Sequence, residues 1–225
     1  MAAPLTNLFF ANVFVCAGLV MVGVTRATSH IFWLVLAVLG FPLVGALESA
    51  GFYEVSRRQS VGRSTRLRAV LPVVWAQRGG QLPWLATIIV ITFLSWFFLV
   101  HMIFALFLGL SPMTNVTSGL DVYFTPEGLS ILSFGSVVGA IFAVAVFSIS
   151  ILGMPMILDR DVDFMSAMLR SAAAVKGHPV TWLIWGAFIA LLTLLAMVPF
   201  FLGLFIAMSL PGHATWHLYK AVSDP

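Results

Sequence analysis

Five histidines, one cysteine and eight carboxylates are the groups in this chain best suited to chemistry. His213 and His217 stand four apart, the spacing that puts two side chains on one helix face where they could share a metal ion. His101 lies inside a long apolar run that opens near Trp84. A haem needs an axial ligand and a redox copper needs nitrogen or sulfur donors, so histidine supplies the right atoms. Depth argues against a shared site: His213 and His217 belong near one end of their helix, His101 toward the other surface. No cofactor or metal is expected, and structural roles account for all three. Cys16 sits in an apolar run, where one thiol cannot form an internal disulfide. It is expected to be a small buried hydrophobe.

Among the acids, Glu48 is the one placed within reach of hydrocarbon, at the inner end of an apolar run. Ionisable groups inside a bilayer are costly and default to a functional reading, although Glu48 could equally face the interface. Asp159-Arg160-Asp161, with Asp163, follows Met154-Pro155-Met156 and marks where a helix leaves the membrane. Carboxylates there favour the start of the next helix. They could also pair with Arg57 or Arg58, and that structural bridge is preferred over ion binding or gating. The sequence has no phosphate-binding glycine loop, nucleophile elbow, HExxH or Cys-His metal spacing. Nor does it have an extramembrane loop large enough for a catalytic domain, so no enzyme is expected.

The elements that must position these residues follow from composition. Of 225 residues, 61% are hydrophobic and 8% charged, against about 25% charged in soluble domains. Mean hydropathy is +1.07. A cytosolic enzyme, a disulfide-stapled secreted domain and a nucleic-acid module are all excluded. Apolar runs predict spans at about 8–24, 31–52, 84–110 and 131–157. The first could pass for a signal peptide, but Met1 to Asn7 lacks the basic residues of one, so a retained helix is expected. The run from Val180 to Leu210 would make one helix of about 46 Å, too long for a hydrocarbon core of about 30 Å. Pro199 in its middle predicts a turn near Met197 to Pro199, giving spans at 180–197 and 200–222. Gly203, Pro211 and Gly212 are kink candidates in the second. The expected fold is all-α: one polytopic bundle of six transmembrane helices over residues 1–225.

The net charge of +3 comes with an uneven distribution. Arg57, Arg58, Arg63, Arg66, Arg68 and Arg78 share one loop, Arg160, Arg170 and Lys176 another, and Lys220 lies in the tail. Arg26 alone belongs to the opposite side. By the positive-inside rule both termini are cytoplasmic. Each basic loop also predicts a short helix on the membrane surface. The first has Leu67, Val70, Leu71, Val74 and Trp75 as its apolar face, with Pro72 as a kink. The second has Phe164, Met168, Ser171 and Val175, with Asp161 or Asp163 as its cap and Gly177 at its end. Arg58 to Arg68 and Arg160 to Arg170 have the same spacing, which suggests a duplication of residues 31–110 as 131–210, with chance similarity the equal alternative. Gly135 and Gly139 form a small-residue pair that permits close helix contact.

Tyr53-Glu54-Val55-Ser56-Arg57-Arg58, Phe124-Thr125-Pro126-Glu127-Gly128-Leu129, Leu158-Asp159-Arg160-Asp161-Val162 and Gly212-His213-Ala214-Thr215-Trp216-His217-Leu218-Tyr219 resemble DUF2189. This is a family of predicted bacterial integral membrane proteins of unknown function, and the resemblance runs over nearly the whole chain. It departs at the N-terminus, where the cytoplasmic lead-in is almost absent. The resemblance implies a bacterial inner-membrane protein. It supplies no catalytic residues, and the label "cytochrome c oxidase subunit I-like" carried by some members does not suit so few histidines. The expected function is a non-catalytic accessory or assembly subunit, packed in the lipid bilayer against a larger, respiratory complex. A small transporter or channel using Glu48, His101 and the Asp159 cluster is the alternative, and a haem- or metal-binding redox subunit the second. Nucleic acid is not an expected partner; a homo-oligomer is a further option.

Overall fold

The computed structural model describes residues 3–29, 49–108 and 124–223. Glu48 and most of the expected 31–52 span lie outside them. Every regular element among the described residues is helical: α1 (Pro4–Thr28), α2 (residues 49–60), α3 (Leu67–Ala76), α4 (Leu82–Leu108), α5 (Pro126–Ser150), α6 (Gly153–Asp159), α7 (Phe164–Gly177), α8 (Pro179–Met197), α9 (Leu204–Ala207) and α10 (Ser209–Ser223). Among the described residues, four stretches are long and apolar enough to cross a membrane: α1, α4, α5 continued by α6, and α8.

The ends follow from local chemistry. Pro4, Pro126 and Pro179 open α1, α5 and α8, where the missing N–H is no loss. Thr125 caps α5 by accepting from the Gly128 N–H at 3.0 Å. Asp163, rather than Asp161, caps α7 by accepting from the Ser166 N–H at 2.9 Å. These bonds hold the Asp163 carboxyl below its usual range. The run expected at 131–157 breaks after Ser150 for two reasons. Pro155 cannot donate to Ile151, four residues back. The Ser171 hydroxyl also inserts into the ladder, accepting from the Leu152 N–H at 3.1 Å and donating to the Ser148 carbonyl at 2.7 Å.

The expected turn after Met197 is present, but the 200–222 span is not one helix. Phe200 and Phe201 take positive φ, 51° and 65°, in a turn over residues 198–203. The chain then forms only α9, one turn long, and restarts as α10. Pro211 explains the second break, because it cannot donate to Ala207. The turn gains its hold through Phe201, which is buried and packs on Gly18 of α1. A Cβ built on Gly18 would lie 2.3 Å from the Phe201 ring, so only glycine admits it.

Contacts between termini and loops gather the basic residues at one end. Thr6 donates to the Thr65 carbonyl, Lys220 pairs with Asp159 at 3.1 Å, and Arg160 donates to the Ser223 carbonyl. The two basic loops are tied together by the Phe164 N–H donating to Gln81 Oε1 and by stacking of Trp84 on Phe164. Arg26 lies at the other end, over the Phe200 ring. The short helices do more than coat this end. α3 buries Val70 against Phe10, Ala11, Phe52 and Val55, and leaves Leu71 and Trp75 outward. α7 buries Ala167, Ser171 and Val175; Ala167, missing from the expected face, packs near Gly153 while Phe164 and Met168 are only partly buried.

Candidate functional site: a polar seam beside an apolar cavity

The interior polar groups collect where α2 meets α10. Ser49, Tyr53 and Ser56 recur at helical spacing on α2, and Gly212 lets α10 close against it. A Cβ on Gly212 would come within 2.6 Å of Phe52 Cβ. Tyr53 lies beside Ser49 and Thr215; Ser49 donates to Met154 Sδ at 3.6 Å, and Thr215 accepts from the Trp185 indole of α8 at 3.3 Å. One turn toward the charged end, His213 sits between Ser56 Oγ, 2.5 Å from Nδ1, and Asn7 Nδ2, 2.9 Å from Nε2. The network assigns the tautomer. Ser56 already donates to the Phe52 carbonyl at 2.9 Å, so its oxygen accepts from Nδ1–H. Nε2 then accepts from the Asn7 amide, and His213 is neutral. Asn7 Oδ1 is buried and has no hydrogen-bond partner among the described residues.

At the charged end of the seam Glu54 is fully buried, yet it is flanked by two arginines. Its carboxylate accepts from Arg57 Nε at 2.7 Å and Nη2 at 3.1 Å, and from Arg58 Nε at 2.7 Å. Arg58 also donates to the Ser64 carbonyl, fixing the turn before α3. The bonds to Glu54 raise the Arg57 pKa against the opposing effect of burial, and the charges of Glu54 and Asp159 add to it. A buried carboxylate is tolerable only with such pairing. Asp159 is held differently: its Oδ2 accepts from the Tyr219 hydroxyl at 3.0 Å and from Lys220 at 3.1 Å.

Beside the seam lies a cavity of about 390 Å³ between α5 and α8, with Ser49, Tyr53 and Thr215 in its wall. Small residues of both helices, Ala140, Ala143, Gly186, Ala187 and Ala190, form much of the remainder. Phe147 reaches toward α8 and occupies the room beside Gly186, where a Cβ would be 3.2 Å from its ring.

Several expectations change on this geometry. Arg57 and Arg58 are bonded by Glu54, not by Asp159 or Asp161; the helical spacing of Glu54 to Arg57 and Arg58 was the overlooked signal. Asp159 braces α10 instead, Arg160 reaches the end of the same helix, and Asp161 is exposed. His213 is half-buried between Asn7 and Ser56 while His217 is exposed; His101 approaches the Phe97 carbonyl through Nδ1 at 2.7 Å. Among the described residues no three His, Cys, Asp or Glu side chains converge as a metal site. Cys16 is exposed on the outer face of α1, not buried. Gly139 faces Trp96 of α4, whose indole nitrogen would lie 3.4 Å from a Cβ there, whereas a Cβ on Gly135 would meet nothing within 4 Å. The two glycines therefore do not serve one contact.

A bundle of long apolar helices, with its basic residues at one end and its buried carboxylate paired, is an integral membrane protein. The chain belongs to the DUF2189 family, described as a predicted integral membrane protein, whose profile matches residues 33–159. The match takes in the α2 string around Glu54, the start of α5 and Asp159; the α10 string lies beyond it. No curated protein and no solved structure matches the chain.

Proposed function

We propose that this protein is a non-catalytic accessory or assembly subunit of a larger complex in the bacterial inner membrane, with both termini in the cytoplasm. The observation that carries the reading is how its carboxylates are used. Glu54 pairs within α2 with Arg57 and Arg58, the latter also donating to the Ser64 carbonyl of the following turn, and Asp159 braces α6 to α10 through Tyr219 and Lys220. Among the described residues that line the cavity there is none of Glu54, Arg57, Arg58, Asp159 or Lys220. The gathering of basic residues at one end supports the orientation. The respiratory assignment of the complex draws on the label that some family members carry.

Gly135 supports an outward contact, since a Cβ there would meet no described residue within 4 Å. Purification under native conditions, with mass spectrometry of stoichiometric companions, tests the proposal. A defined set of larger membrane subunits is expected, lost in Gly135→Leu while the chain itself stays folded. A solitary homo-oligomer would overturn it. The cavity favours one other reading, a small transporter; flux that falls in Glu48→Gln, with assembly intact, would establish that instead. A Soret band abolished by His101→Ala or His213→Ala would establish a haem subunit.

A further inference from the structure

The cavity between α5 and α8 has a chemistry that the subunit reading does not use. Its volume of about 390 Å³ falls within the range of ligand sites, roughly 300–1,000 Å³. An apolar cavity of about 150 Å³ takes up benzene, so a guest with a substantially larger apolar body fits here. Small residues normally let two helices close together. Here Ala140 and Ala143 of α5 and Gly186, Ala187 and Ala190 of α8 border open space, with Phe147 set against Gly186 at its edge.

The wall also sorts its contents. Among the described residues its lining contains no Asp, Glu, Lys, Arg or His, so none of them offers a counter-ion to a charged group brought inside. The hydroxyls of Tyr53 and Thr215 share one part of the wall beside Ser49, which donates to Met154 Sδ at 3.6 Å; those of Ser150 and Thr193 donate to carbonyls of their own helices. Lining residues on α8 run from Leu183 to Thr193, the middle of that apolar helix, so the guest's source is the bilayer.

We infer that this cavity binds a neutral amphiphile drawn from the membrane, its apolar body lying between α5 and α8 and its one hydrogen-bonding end group at Tyr53 and Thr215. A long-chain alcohol has this chemistry; a phospholipid acyl chain offers the body without the end group. The inference is independent of whether the chain serves a larger complex.

The test uses the purified full chain in phosphatidylcholine vesicles with two probes, a diazirine-bearing hexadecanol and a phosphatidylcholine with the diazirine in its acyl chain. Labelled residues are mapped by mass spectrometry. The alcohol is expected to label the cavity walls of α5 and α8, and excess unlabelled hexadecanol to displace it. Hexadecane of equal concentration should displace it less. Ala190→Phe, which fills the space, should lower labelling by about tenfold or more. Tyr53→Phe, which leaves the space open, should remove the advantage of hexadecanol over hexadecane, and this second variant keeps the test decisive if Ala190→Phe fails to fold. Equal labelling by both probes, or labelling that hexadecanol cannot displace, would overturn the inference and leave bulk acyl chains as the occupant.

Discussion

At the scale of single residues, the most consequential group is Glu54. Removing one partner of a buried ion pair leaves the others uncompensated, an effect of about 3 kcal/mol or more. Glu54→Ala is therefore expected to lower thermal stability in detergent strongly, read by the loss of monodisperse protein after heating. Glu54→Gln should be milder, because it keeps one of the two acceptor oxygens and the side-chain volume in place. Ala at Asp161, which is exposed, should change little. Asp163 gives a pH prediction. Its bonds to the Ser166 and neighbouring amides depress its folded pKa below the ordinary value near 3.8. The cap is therefore fully present above that value and is lost as pH falls through the lower folded pKa. Amide exchange over the first turn of α7 should accelerate in that acidic window. In Asp163→Asn, which keeps a cap but cannot titrate, the exchange should lose this pH dependence beyond its intrinsic chemistry. The Glu54 clamp was legible as a spacing once its two arginines were read together. The Asn7–His213–Ser56 chain was not, because its members lie in three helices far apart in sequence.

At the scale of elements, the breaks matter most. Ser171 stands in for a backbone bond that α5 and α6 no longer make, so Ser171→Ala leaves the buried Leu152 amide without its acceptor. The expected loss is about 1–3 kcal/mol of stability, checked by thermal unfolding, together with faster exchange at residues 151–153. The turn after α8 depends on a different fit. Gly18→Ala should force Phe201 from its seat on α1, destabilising by about 1–3 kcal/mol as overpacking does. Phe201→Ala in the same chain should recover part of that loss, because it removes the clashing ring. A double-mutant cycle on these two positions measures the coupling directly. Hydropathy located α1, α4 and α8 to within a few residues, since long apolar runs can satisfy their backbones only as helices in lipid. It merged α5 with α6 and α9 with α10, because an apolar average does not register one missing proline N–H or one inserted hydroxyl.

At the scale of the whole molecule, the charge asymmetry leads to a topology prediction. In a chain with Cys16→Ser, single cysteines at Ser60 and Ser166 should react with a membrane-impermeant maleimide only from the cytoplasmic side. A cysteine at Ser29, beside Arg26, should react only from the other side. Ser60 and Ser166 labelled from opposite faces would refute the shared end that Gln81, Phe164 and Trp84 build. What the sequence determined by itself is the solvent of this protein and the end that carries its charge. Both are sums over many residues, as hydrophobic and Coulombic preferences are, and need no knowledge of neighbours. Tertiary structure alone decided which carboxylate meets which arginine, why Gly139 and Gly135 have different surroundings, and where a cavity remains between helices with small faces. Those outcomes rest on contacts a few ångströms long between residues as distant as Asn7 and His213, and packing of that range leaves no periodic trace along a chain already apolar on every side.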